Sequence, residues 1–164
     1  MEAAGRDEVR PQAQDQSIDQ DSLTKRADQY RMDVSHRLDP ETRSRMGQFF
    51  TAGSIAQFMA SLFGTGIDEI RLLDAGAGVG SLTAAFVERV CQEPSPPRRV
   101  SVVAYELDSL LVEYLHLILA RCRQVSEDRG IAFESRILEQ DFVVSAVEML
   151  RGGLFAIERL SFNR

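Results

Sequence analysis

No apolar run in the 164 residues approaches the roughly 20 needed to span a bilayer, and the charged start from Met1 to Arg10 has no apolar segment behind it. Neither a membrane span nor a secretory leader is expected, and the reading is of a cytoplasmic protein. Cysteine is scarce: Cys91 and Cys122 stand in stretches that read as helices, without paired or metal-ligand spacing, and are expected as reduced packing residues. Histidine is as sparse. His36 and His116 lie far apart and lack Cys or carboxylate partners at ligand spacing, which leaves no metal site to propose. Positive charge is also short, with 19 Lys and Arg against 25 Asp and Glu and a net charge of −6. Phosphate contacts need clustered basic side chains, so this stretch is not expected to grip nucleic acid by itself. Arg37, Arg43 and Arg45 come nearest to a cluster, but Asp39 and Glu41 interrupt it, as on an ordinary solvated helix face.

What is present is a globular composition, 44% hydrophobic and 27% charged, in a length that suits one domain with a real core. Residues 1–20 are rich in Gln, Asp, Glu and Ala with few large apolar side chains, and are expected as a loose tail. Residues 21–46 form a helical segment: a helix from Asp21 to about Arg37, then a short second helix announced by Asp39-Pro40-Glu41, a cap followed by proline at the first helical position. The remainder, 47–164, reads as one partial domain. Ile55, Phe58, Met59, Leu62 and Phe63 recur at three-and-four spacing behind Gly53-Ser54, which predicts an amphipathic helix with that face packed inward.

From there strands and helices alternate. Ile70 to Leu73 is a short apolar run ending in a glycine-rich turn, and Leu82, Phe86 and Val90 mark the helix after it. Pro94, Pro96 and Pro97 break the pattern before a second strand, Val100 to Tyr105. Leu111, Leu115, Ile118, Cys122 and Val125 line one side of a long helix closed by Gly130, with Arg129 in its last turn. A third strand, Ile131 to Leu138, leads to a helix from about Phe142 to Leu150 ended by Gly152-Gly153, with the start of a fourth strand near Phe162. Such alternation implies parallel strands joined by right-handed crossovers, hence an α/β doubly wound sheet, here unfinished at about three strands.

The residues richest in chemistry are Asp74-Ala75-Gly76-Ala77-Gly78-Val79-Gly80, between a predicted strand and a predicted helix. Glycines there let the backbone turn sharply and approach a ligand at the strand ends where open α/β sheets bind cofactors; the alternative is a tight turn with no ligand. A dinucleotide loop would read Gly-x-Gly-x-x-Gly, but Ser81 stands where the third glycine belongs. Asp74 points the same way, because a carboxylate beside the loop repels a pyrophosphate and favours the ammonium group of a bound amino acid such as that of S-adenosylmethionine. Glu106 ends the second strand, where a carboxylate accepts hydrogen bonds from ribose hydroxyls, and Leu107 is placed to cover an adenine face. Glu106 also fits a surface acid, and Asp108 a helix N-cap. Asp141-Phe142 follows the third strand in the same way, as a contact for an adenine amino group or as the N-cap of the next helix.

With these positions set out, the chain resembles the gamma-ordered adenine-N6 DNA methyltransferases of restriction-modification systems. Their N-terminal motif, shaped like Gly-Gln-Phe-Phe-Thr-Pro, is matched by Gly47-Gln48-Phe49-Phe50-Thr51, with Ala52 in place of proline. The resemblance covers about residues 44–164. It implies a Rossmann-like class I fold binding S-adenosylmethionine, with Phe50, Thr51, Asp74, Gly76, Gly78 and Gly80 toward the methionine portion, Glu106 and Leu107 toward the ribose and its base, and Asp141 and Phe142 toward the adenine. Double-stranded DNA is the implied partner, gripped mostly outside this stretch. Family members continue into Asn-Pro-Pro-Tyr or a close variant, whose oxygens hold the amino group of an adenine flipped out of the duplex. That motif is absent, so no catalytic residue is expected here and the chain alone is expected to be inactive; Ser95-Pro96-Pro97-Arg98 lies before the second strand and is no substitute. Three other classes share parts of the pattern: a methyltransferase acting on a small molecule or protein, an NAD-dependent oxidoreductase, and a non-catalytic interaction fragment.

Overall fold

The computed structural model describes residues 22–38 and 50–152. The tail over 1–20, the second helix begun by Asp39-Pro40-Glu41, Arg43, Arg45, Gly47-Gln48-Phe49 and the strand start near Phe162 lie outside the described residues.

Helix α1 (Leu23–Arg37) begins where the Ser22 hydroxyl oxygen accepts from the Lys25 N–H at 3.3 Å, satisfying one of the amide donors that a helix start leaves open. It buries Leu23, Ala27 and Val34 along one side. Helix α2 (Gly53–Ser61) starts behind Ala52, which offers no capping side chain. Its cap comes from α1 instead: the Gly53 N–H donates to Asp28 Oδ1 at 3.0 Å. The Arg31 guanidinium, 2.7 Å from the same oxygen, together with this amide, holds the Asp28 carboxyl below its ordinary value. At the other end Arg89 donates to the carbonyls of Ala60 and Phe63 at 2.6 and 2.5 Å, tying the last turn of α2 and the residues after it to α3 (Ser81–Gln92).

The apolar face of α2 is a correction to the sequence reading. Ala56 and Ala60 turn inward, while Ile55, Phe58, Met59, Leu62 and Phe63 face out. Two alanines four residues apart let α2 lie close against the neighbouring helix, and the closer approach gains more contact than the larger residues offer from that side. Leu62 and Phe63 also fall past the last helical residue, so the periodicity ran beyond the helix that carries it.

Strand β1 (Glu69–Asp74) runs parallel to β2 (Arg99–Tyr105), Glu69 opposite Arg99 through Asp74 opposite Ala104. Strand β3 (Ala132–Leu138) pairs parallel to the far side of β2, from Arg99 opposite Ala132 to Tyr105 opposite Leu138, giving the order β1-β2-β3. Helix α3 (Ser81–Gln92) makes the first crossover and α4 (Ser109–Asp128) the second. Their buried faces, Phe86, Val87 and Val90 with Leu115, Ile118 and Cys122, close one core with Ile70, Val100, Val102 and Phe133 of the sheet. Each such Leu or Ile taken from water is worth about 1.5–3 kcal/mol. Helix α1 joins that core through Leu23 and Ala27.

Asp108 caps α4 by accepting from Leu110 and Leu111 at 2.9 and 3.4 Å, and Gly130 ends it at a φ of +73°. The cysteines are buried packing residues, and burial pushes both thiols up. Helix α5 (Phe142–Gly152) starts on the opposite side of the sheet: its Phe142 ring meets the ring of Tyr105 edge-on at 5.2 Å, and Tyr105 alternates with the core-facing Val102 and Ala104. No helix among the described residues is long and apolar enough to cross a membrane.

Gly80 is the most closely packed of the described glycines. Its φ is +83°, and a Cβ there would sit 2.6 Å from Ile118 Cγ2 and 3.0 Å from Leu115 Cδ1. Gly80→Ala is expected to cost about 2–4 kcal/mol, left-handed backbone strain adding to overpacking. Gly130→Ala, with positive φ and no atom within 4 Å of the new methyl, should cost about 1–2 kcal/mol. Urea midpoints at constant slope measure both.

Candidate functional site

The carboxyl ends of all three strands lie on one rim, and the residues singled out in the sequence follow them. Asp74 closes β1 with its side chain buried, and its Oδ2 accepts from the Thr83 hydroxyl at 2.7 Å. Burial raises the Asp74 carboxyl above its ordinary value; the Thr83 hydroxyl opposes that shift, and the nearby Glu106 adds to it. A cation brought to this carboxylate recovers what burial costs.

The loop is held from both sides. The Ala77 N–H donates to the Tyr105 carbonyl at 2.8 Å, and the Gly80 N–H turns back to the Ala77 carbonyl at 2.8 Å. The Gly78 N–H donates to Glu106 Oε2 at 2.7 Å, while Oε1 of the same side chain accepts from the amides of Leu107 and Asp108 at 2.9 and 3.0 Å. Glu106 is thus clamped in place by three backbone donors from two loops. Gly78 has a φ of +56°, and a Cβ there would approach Phe50 Cδ1 at 3.9 Å, so Phe50 lies over the loop.

The three loop glycines differ in what demands them. Gly80 faces Ile118 and Leu115, and Gly78 carries a left-handed backbone. Gly76 has neither constraint: its φ is not positive and its Cβ position meets none of the described residues within 4 Å. Nothing among the described residues requires a glycine there, whereas a ligand lying on the backbone would.

Phe50 packs with Val34 of α1, Val79 of the loop, and Leu111 and Tyr114 of α4. Thr51 follows it, half-buried. Leu107 stands exposed beyond Glu106, on the rim. Asp141 Oδ1 accepts from the Val144 N–H at 3.0 Å, so Asp141 caps α5, and Phe142 leans on Tyr105. The sequence reading passed over two features. Thr83, wholly buried, holds Asp74; its only sequence signal is a hydroxyl on the apolar side of a helix just past the loop. The second is the wall made by α1, where Tyr30 packs on Tyr114 at 5.3 Å, Arg37 donates to the Tyr114 hydroxyl at 2.8 Å, and that hydroxyl donates to Asp33. No local pattern announces partners about 80 residues apart.

A strand, a glycine loop with one unexplained glycine, and two acids at successive strand ends make a rim suited to a nucleoside bearing positive charge. Two curated relatives match the chain. The chain is similar to Type II methyltransferases. It is 35% identical over 129 residues to Type II methyltransferase M.PstI of Providencia stuartii, covering 79% of this chain and 25% of that protein. It is 37% identical over 117 residues to Type II methyltransferase M.BsuBI of Bacillus subtilis, covering 71% and 22% respectively. The chain therefore spans about a quarter of the length of the relatives it matches. No family model matches it, and neither does any solved structure.

The raised Asp74 carboxyl sets a pH dependence. The folded state keeps its proton where the unfolded chain has lost it, so stability falls as pH rises from the ordinary value of 3.8 through the raised one. Asp74→Asn is expected to flatten that decline and to leave the ligand-free chain with the higher Tm at neutral pH. Thermal unfolding of both proteins between acid and neutral pH reads the difference, and parallel profiles would contradict it.

Proposed function

We propose that this chain is the cofactor-binding part of a DNA methyltransferase that transfers a methyl group from S-adenosylmethionine to the N6 amino group of adenine. The observation that carries the reading is Gly76, a glycine with no structural demand, lying between Asp74 and Glu106 at the ends of adjacent parallel strands. The similarity to two Type II methyltransferases supports the reaction class. The Phe50-Thr51 pair beside the loop supports the adenine-N6 subclass through its resemblance to that family's N-terminal motif. The parallel order and the crossover helices support a Rossmann-like fold, with 47–164 as a partial cofactor domain and α1 packed on its core.

In this reading the loop backbone at Gly76 and Gly78, with Asp74, holds the methionine portion, and Phe50 and Thr51 close over it. Asp74 favours the ligand's ammonium group, Glu106 accepts from the ribose hydroxyls, and Leu107, Asp141 and Phe142 flank the adenine. Bound there, the cofactor supplies an electrophilic methyl carried on a sulfonium. The rim itself carries acids, which suits a cationic small molecule and not a phosphate backbone. Double-stranded DNA is then held by other parts of the enzyme, and the target base must leave the helix for its amino group to be reached.

Isothermal titration tests the reading. S-adenosylmethionine and S-adenosylhomocysteine are expected to bind the chain and NADH is not; tighter binding of NADH would point to an oxidoreductase, and no binding of any adenosine cofactor to a non-catalytic fragment. Gly76→Ala should leave the urea midpoint unchanged, because the methyl meets nothing in the protein. The same change should weaken S-adenosylmethionine about tenfold or more, the effect of about 1–3 kcal/mol of overpacking against the ligand.

A further inference from the structure

The apolar stripe of α2 is the largest feature that the cofactor rim does not use. Ile55, Phe58, Met59 and Leu62 recur at helical spacing on the side away from Ala56 and Ala60, with Phe63 and Ile67 just beyond, and all six are exposed, Phe58 and Leu62 at 65% and 69%. Together they present on the order of 600 Å² of apolar surface, at the upper end of what one patch on a monomer exposes. Aromatic residues and Met with no charge among them match the composition of an interface centre.

The charge around the stripe indicates what covers it. The chain carries a net −6, so two copies repel in general, yet from Gly47 to Ile67 there is no Asp, Glu, Lys, Arg or His. Three charged pairs border the stripe, each balanced within its own chain. Asp28 and Arg31 pair at 2.7 Å beside Gly53; Arg89 and Glu93 at 4.0 Å beside the end of α2; Asp68 and Arg98 at 3.4 Å just past Ile67. An apolar surface without charge, bordered by ion pairs closed within the chain, sets little repulsion against a copy of itself, which a two-fold contact requires. Two such patches in contact bury about 1,200 Å² in total, enough for a specific interface at the small end of the range.

We propose that α2 is a dimerisation helix, packing antiparallel against α2 of a second copy of this chain. The two-fold axis passes between Phe58 and Met59, so that Ile55 of one copy faces Leu62 of the other. The proposal does not rest on the cofactor reading, because the residues it uses lie outside the rim.

Sedimentation velocity of the purified chain tests it. The expected result is a dimer that dissociates on dilution through the micromolar range, as small interfaces do. Ile55→Glu and Leu62→Lys are each expected to be monomeric, since a homodimer of either buries charge against an apolar side chain. Their equimolar mixture should regain the dimer, pairing the new Glu with the new Lys while Leu62 and Ile55 meet at the other contact. Both positions are exposed, and circular dichroism confirms that the variants fold. As a second measurement, Met59→Cys should cross-link to a covalent dimer on air oxidation. A monomer at all concentrations, with no cross-link at position 59, overturns the proposal and leaves α2 to another partner; so does self-association that neither variant weakens, which would place the contact on a different surface.

Discussion

The contact of Leu115 and Ile118 with the bare backbone of Gly80 governs the geometry of the rim. Because a side chain cannot fit there, α4 lies directly beneath the turn from β1 into α3, and the loop is drawn down onto the core. That approach lays the loop over the ends of β1 and β2, already paired at Asp74 opposite Ala104, so the Glu106 carboxylate can accept from Gly78 and the Tyr105 carbonyl from Ala77. A looser α4 would let the loop lift away from Glu106 and from the Tyr105 carbonyl. The hydrophobic core thereby positions the charged groups, although it contributes none of them.

Electrostatically the rim is built to be incomplete. Asp74 is buried beside another acid with a Thr83 hydroxyl as its partner, an arrangement that penalises its own charge. Glu106 is different: its oxygens are met by three amides, which fix its direction. One acid is thus restrained by donors and the other gains from a cation. The pairing suits a ligand with hydroxyls at one end and a positive group at the other, and it disfavours a phosphate.

Much of this was legible in the chain. The alternation of apolar runs with glycine and proline gave every described strand within one residue at each end, and the stripe from Leu111 to Cys122 faces the core as its spacing implies. Asp108 acts as the cap its position suggested. The failure at α2 has a physical cause. Periodicity locates a stripe but does not say which side a short helix will bury, and Ala56 and Ala60 won because small side chains permit close packing of backbones. Thr83 went unread because a lone hydroxyl on a helix does not name its acceptor across a turn, and the tyrosine wall of α1 because its partners are distant in sequence, which local patterns do not encode.

The contact of Phe142 with Tyr105 reaches furthest beyond its size. Through that contact α5 starts on the face of the sheet opposite the one α3 and α4 cover. A right-handed connection through a helix on that face leads back across β2 to the edge of β1 that no described strand pairs with, not onward past β3. A strand laid there would split the sheet's order beside Asp74 and Gly76, opening a crevice between strands whose connections depart to opposite sides, the place where open α/β sheets bind their ligands.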